Sequence, residues 1–189
     1  MKRNNIFKIT LMSIAIAINI IGGFIAIALK LPIFIDTIGT FLIAFLLGPI
    51  SGAITGLATS LINGFTFDPY SLYFFPVQIV IGLVAGLCYK KGLFKGKFIV
   101  LGILISTIAG SLVASLISAY VFGGITSSGT SFVVMFLKNV GVNIVASVFS
   151  TQILFDLLDK ASTIFIVLML IKSLPNNMKE IINNRCING

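Results

Sequence analysis

Asp156, Asp159 and Lys160 stand within one short stretch at the edge of the apolar run 161–171. Carboxylates beside an amine can neutralise one another, bind a polar ligand or move a proton. Asp156 and Lys160 are four residues apart, so on a helix they share a face and can pair. Asp159 neighbours both. The whole chain holds only five acidic residues, so two of them here form a real concentration. Two readings stay open. In one, the group is an internal ion pair near a membrane interface. In the other, at least one member faces a pocket that opens outward. Lys160 in the company of Asp36, Gln78, Asn139 and Asn143 would suit a small polar or anionic molecule. The mixed charges leave the ligand's sign open.

Catalytic chemistry has little to work with. The chain has no His, which removes Ser-His-Asp and Cys-His arrangements and His-ligated metals. No phosphate-binding loop with its lysine occurs, so ATP hydrolysis by that route is excluded. A Ser-Lys dyad using Lys160 or Lys138 is formally possible, but nothing marks a nucleophile. The two cysteines, Cys88 and Cys186, lie far apart. Neither a disulfide nor a metal site is expected from them. The residues therefore point to binding, with no catalytic residue, cofactor or metal.

The elements that position these groups follow from composition. Of 189 residues, 58% are hydrophobic and 10% charged, against about a quarter charged in a soluble domain. Lipid must be the solvent. A bilayer core of about 30 Å takes roughly 20 helical residues. Apolar helices are expected at about 6–29, 36–47, 50–62, 72–89, 98–122 and 153–173. The first is too long for the apolar part of a signal peptide and reads as a retained helix. The second and third are short, and lipid tolerates such pieces only where protein covers their broken backbone.

Charge sets the orientation. The net charge is +8, which here reports topology and not nucleic acid. Lys2, Arg3, Lys8, Lys90, Lys91, Lys95, Lys97, Lys172, Lys179 and Arg185 are ten of the thirteen cations. They fall on one side if the chain crosses six times with both termini cytoplasmic. Residues 132–150, interrupted by Lys138, Asn139 and Asn143, then form a partial or surface-lying helix on the outer side. The expected fold is an all-α membrane protein: a six-helix transmembrane bundle with a short outer-side helix before the last span. Residues 1–175 form one membrane domain and 176–189 a polar cytoplasmic tail.

In this arrangement Asp36, Asp68, Asp156, Asp159 and Lys160 share the outer half. Lys160 precedes Lys172 by twelve residues, about 18 Å of helix. That depth is costly if the side chain faces lipid. Asn63 is either a helix C-cap or a pocket group. Gln78, inside an apolar helix, needs a partner from another helix or from a ligand. Tyr70, Tyr73, Phe74 and Phe75 are either an interfacial belt or a wall for stacking a flat heterocycle. Gly48, Gly52 and Gly56, like Gly82 and Gly86, recur every four residues and allow close helix packing. Ser13 and Ala17 show the same spacing on the first helix. They serve packing within the chain or docking to a partner.

Several segments together carry a family likeness: "SIAIAINIIGGFIAIALKLP", "LLGPISGAITGLATSLING", "FFPVQIVIGLVAGLCYKKG" and "DLLDKASTIFIVLMLIKSLP". In order and spacing the chain resembles the substrate-binding S components of energy-coupling factor (ECF) vitamin transporters. The resemblance covers nearly the whole chain. It implies a multi-pass protein of the bacterial plasma membrane that captures a vitamin-like small molecule. Its partners would be a transmembrane coupling subunit and two cytoplasmic ATPases. Delivery would occur by toppling of the whole subunit in the bilayer. The small-residue docking motif maps to Ser13 and Ala17, with Ser where the family favours Ala. The pocket regions contain Asp36, Thr37, Tyr73, Gln78, Asn139, Asn143, Asp159 and Lys160. The alternative is a membrane scaffold or assembly protein with no small-molecule ligand.

Overall fold

A computed structural model describes residues 2–177, and every regular element among them is helical. The helices are α1 (Lys2–Ala28), α2 (Ile38–Leu47), α3 (Pro49–Thr66), α4 (Phe75–Lys90), α5 (Ile99–Phe122), α6 (Thr130–Asn139) and α7 (Ile144–Ser173). Lys179, Arg185 and Cys186 lie outside the described residues, as does most of the expected 176–189 tail. Two stretches, Asn5–Ala28 and Gly96–Phe122, are long and apolar enough to cross a membrane.

Three boundaries differ from the sequence reading. α2 has ten residues, about 15 Å of helix, half a bilayer core. Gly48 ends it at φ +96, and Pro49 opens α3 at its first position. That pairing is economical: Gly tolerates the left-handed backbone, and Pro lacks only a donor that the first turn cannot use. α3 runs on to Thr66, with Phe67 as its C-cap. Asn63 is therefore inside the helix and is not the cap. The expected single helix over 132–150 is split. Gly141, at φ +92, turns the chain after α6. Asn143 then caps α7, accepting a hydrogen bond from Val145 N at 2.9 Å. Residues 144–150 thus belong to a last helix of thirty residues.

Small residues set how closely the helices approach. A Cβ on Gly52 would meet Ala44 Cβ at 2.6 Å, one on Gly82 would meet Ala53 N at 2.5 Å, and one on Gly56 would meet Gln78 O at 2.7 Å. The four-residue glycine repeats thus bring α3 against both α4 and α2. α1 is fastened by Asn19, which is fully buried. Its amide donates to Thr40 Oγ1 at 2.9 Å and to Thr59 Oγ1 at 3.1 Å, and accepts from Gly39 N at 2.7 Å.

The interior is divided along the bundle. Phe41, Phe45, Ile81, Ala85, Phe94, Ile164 and Val167 form a dry cluster toward the Lys90 end. Phe45 stacks on Tyr89 at 4.3 Å and packs on Phe94 at 4.8 Å. The acidic residues of the described chain gather at the other end. Large apolar side chains such as Ile6, Phe65, Leu116 and Phe165 cover the outside and are more than half exposed. So much exposed hydrocarbon suits contact with lipid.

Candidate functional site

The polar end encloses a cavity in which the centre of a water-sized molecule can range over about 90 Å³. Its walls come from α1, the loop 29–37, α3, the turn 69–72, α4, α5, the segment 126–128 and α7. Two contacts described above position its α1–α4 walls. Gly56 brings α3 against the backbone of Gln78, and Asn19 ties the start of α2 to α1 and α3.

Three residues of α7 have distinct tasks because successive residues on a helix point about 100° apart. Asp159 turns toward the loop 29–37. Its Oδ1 accepts from Phe34 N at 3.2 Å and from Ile35 N at 3.0 Å. Its Oδ2 accepts from Lys160 Nζ at 2.6 Å. The loop it holds is strained, with Ile35 at φ +54, a region unfavourable for β-branched residues. Lys160, next along the helix, lines the cavity. Its direct partner is Asp159, not the Asp156 that helical spacing suggests. Asp156 instead accepts from Ser111 Oγ at 2.7 Å and from Gln152 Nε2 at 3.4 Å.

Across the cavity, Gln78 Nε2 donates to Asp36 Oδ2 at 2.8 Å. This bond fixes the amide, so its oxygen is the end left over. Gln78 Oε1, Asn63 Oδ1 and Thr37 Oγ1 are all buried, and none has a hydrogen-bond partner in the protein. All three residues line the cavity. A buried polar atom left unpaired costs about 1–3 kcal/mol. Three around one space mark it as built for water or a ligand.

Of the sequence-derived site residues, the cavity collects Asp36, Thr37, Asn63, Gln78 and Lys160. Asp159 sits directly behind it, 2% exposed. The other three fall elsewhere. Asn143 is an exposed helix cap. Asn139 is exposed and borders a separate hollow with Lys138. Tyr73 is 55% exposed and packs edge-on against Phe122 at 5.1 Å. The aromatic group is thus divided, for Tyr70 and Phe74 line the cavity and also pack on Phe122. The cavity also takes in Asp68 and Gln152, to which the sequence did not point, and Asp156, which its spacing from Lys160 left open between pairing and facing a pocket. Asp68 is buried and accepts from Ser71 Oγ at 2.7 Å, which the Asp-Pro turn gives no means to foresee. Away from the cavity, Ser13 and Ala17 are exposed on one face of α1.

The arrangement can bind a small polar molecule. A family model described as the substrate-specific component of ECF transporters matches residues 7–171. No curated protein and no solved structure matches the chain.

Proposed function

This chain belongs to the family of ECF transporter substrate-specific components, integral membrane proteins that bind substrate for an importer, and we propose that it captures a vitamin or related micronutrient in the cavity beside Lys160. The observation that carries this reading is the ring of unpaired buried groups on Thr37, Asn63 and Gln78 around one cavity. Asp36 and Lys160 complete the binding face. Asp159 acts from behind by holding the loop 29–37. The protein works by binding, and the energy comes from elsewhere.

In this proposal α1 to α5 and α7 cross the bacterial plasma membrane, and α6 lies at its outer side. The half-length α2 is acceptable as a span because Phe41, Ile43 and Ala44 are buried in the bundle and its ends are covered by protein. Both termini are cytoplasmic, which the clustering of cations supports. The cavity then opens outward. The partners are a transmembrane coupling subunit and two cytoplasmic ATPases. The exposed Ser13 and Ala17 face of α1 is the docking surface, and the loaded subunit topples to present its cavity to the cytoplasm.

Affinity purification from membranes followed by native mass spectrometry tests the capture reading. A small molecule bound one to one, together with an ATPase-bearing complex, is the expected result. A chain that carries neither would be a scaffold, and the reading would fall.

A further inference from the structure

We propose that the cavity takes a small organic cation rich in N–H donors, of the protonated amine, amidinium or aminopyrimidinium class. The proposal rests on the capture reading above and adds the sign and hydrogen-bonding character of the ligand.

Charge balance is the first argument. Asp36, Asp68 and Asp156 line the cavity, and Asp159 lies directly behind it. Among the described residues, Lys160 is the one basic residue on its wall. That ammonium is held by Asp159, so it balances a carboxylate that does not face the ligand. The other three acids are bonded to neutral groups: Gln78 for Asp36, Ser71 for Asp68, Ser111 and Gln152 for Asp156. Neutral donors orient a carboxylate without cancelling its charge. Burial beside neutral groups pushes a carboxyl toward its neutral form, Asp36 up to about 7; a cation would hold these acids ionised and supply their counter-charge, which an anion cannot do.

One unpaired atom points the same way by a separate route. Gln78 is 5% exposed, and its unpartnered atom is the amide oxygen, identified because the nitrogen already serves Asp36. An amide oxygen only accepts, so beside Gln78 the ligand must donate. The rings of Phe34, Tyr70 and Phe74 also line the space, and aromatic faces attract cations.

Three near-isosteres make the test: benzamidine (a planar cation at neutral pH), benzamide and benzoate. The full chain in lipid nanodiscs is heated with each at matched concentration. Benzamidine should raise the melting temperature most, benzamide less and benzoate not at all. Asp36→Asn and Asp156→Asn should each weaken the benzamidine response by about tenfold or more. If Asp156→Asn does not fold, Asp36→Asn alone decides. Benzoate equal to benzamidine, no response to benzamidine, or an undiminished response in the folded Asn variants would each overturn the proposal. Mass spectrometry of the small molecule released on denaturation separates the two readings. A neutral or anionic molecule would overturn the assigned charge and leave capture standing, whereas a cation would support both.

Discussion

Replacing Asp159 by Ala should free the loop 29–37 without unfolding the bundle. Among the described residues, the loop is anchored to α7 by the bonds from Phe34 N and Ile35 N to Asp159 Oδ1. A hydrogen bond to a charged acceptor contributes about 1.5–3 kcal/mol. Taking the lower value for each of the two, because they are only part-buried, gives about 3 kcal/mol, or roughly a hundredfold in the opening equilibrium. Release of Ile35 from its left-handed backbone works in the same direction. The bundle should survive because Lys160 still feels Asp156 and Asp36 after Asp159 is gone. Hydrogen–deuterium exchange in nanodiscs, read on a peptide covering 29–37, is the assay. Exchange there should accelerate by about a hundredfold while α3 and α4 stay protected. Asp159→Asn, which keeps an oxygen acceptor but no charge, should fall between the two. Unchanged exchange in the Ala variant would refute the latch. Exchange accelerated throughout the bundle would refute its local character.

Three further outcomes are expected. Asn19→Ala removes the acceptor of Gly39 N and the donor to Thr40 and Thr59, and should cost about 2–4 kcal/mol; a melting temperature equal to the parent's would contradict this. Gly56→Val must push Gln78 away from α3, because even a Cβ would meet its carbonyl oxygen at 2.7 Å. Strain of about 1–3 kcal/mol is expected, with weaker retention of the co-purified molecule on isothermal titration or mass spectrometry; full retention would show that the α3–α4 spacing does not shape the cavity. Ala17→Leu enlarges an exposed position of α1 and should block uptake into cells while ligand binding is unchanged; uptake at the parental rate would remove that face as a docking surface.

The all-helical plan was legible because apolar runs and Gly-Pro breaks each have a simple physical meaning in a bilayer. What escaped was rotation about the helix axes. In a soluble protein, polarity marks the outer face of a helix. Here lipid and protein interior are equally apolar, so sequence cannot tell that Tyr70 and Phe74 face inward while Tyr73 faces out. The same limit hid the division of labour on α7, where one step of the helix separates Asp159 behind the loop from Lys160 on the cavity wall. Asn143 misled for a different reason: a polar residue in an apolar stretch suggests a buried function, but Asn after a Gly turn is also a good helix cap. Asn63, open in sequence between a C-cap and a pocket group, lies inside α3, which runs on to Thr66, and lines the cavity.

The dry cluster of Phe41, Phe45, Phe94, Ile164 and Val167 sets a limit on traffic. It is the floor of a cup: close-packed aromatic and branched side chains seal the chamber from the Lys90 end. Whatever settles among Asp36, Gln78 and Lys160 must leave by the rim over which it came. In the proposed orientation, such a vessel would empty on the far side of a bilayer by tipping, since the described residues leave it no drain.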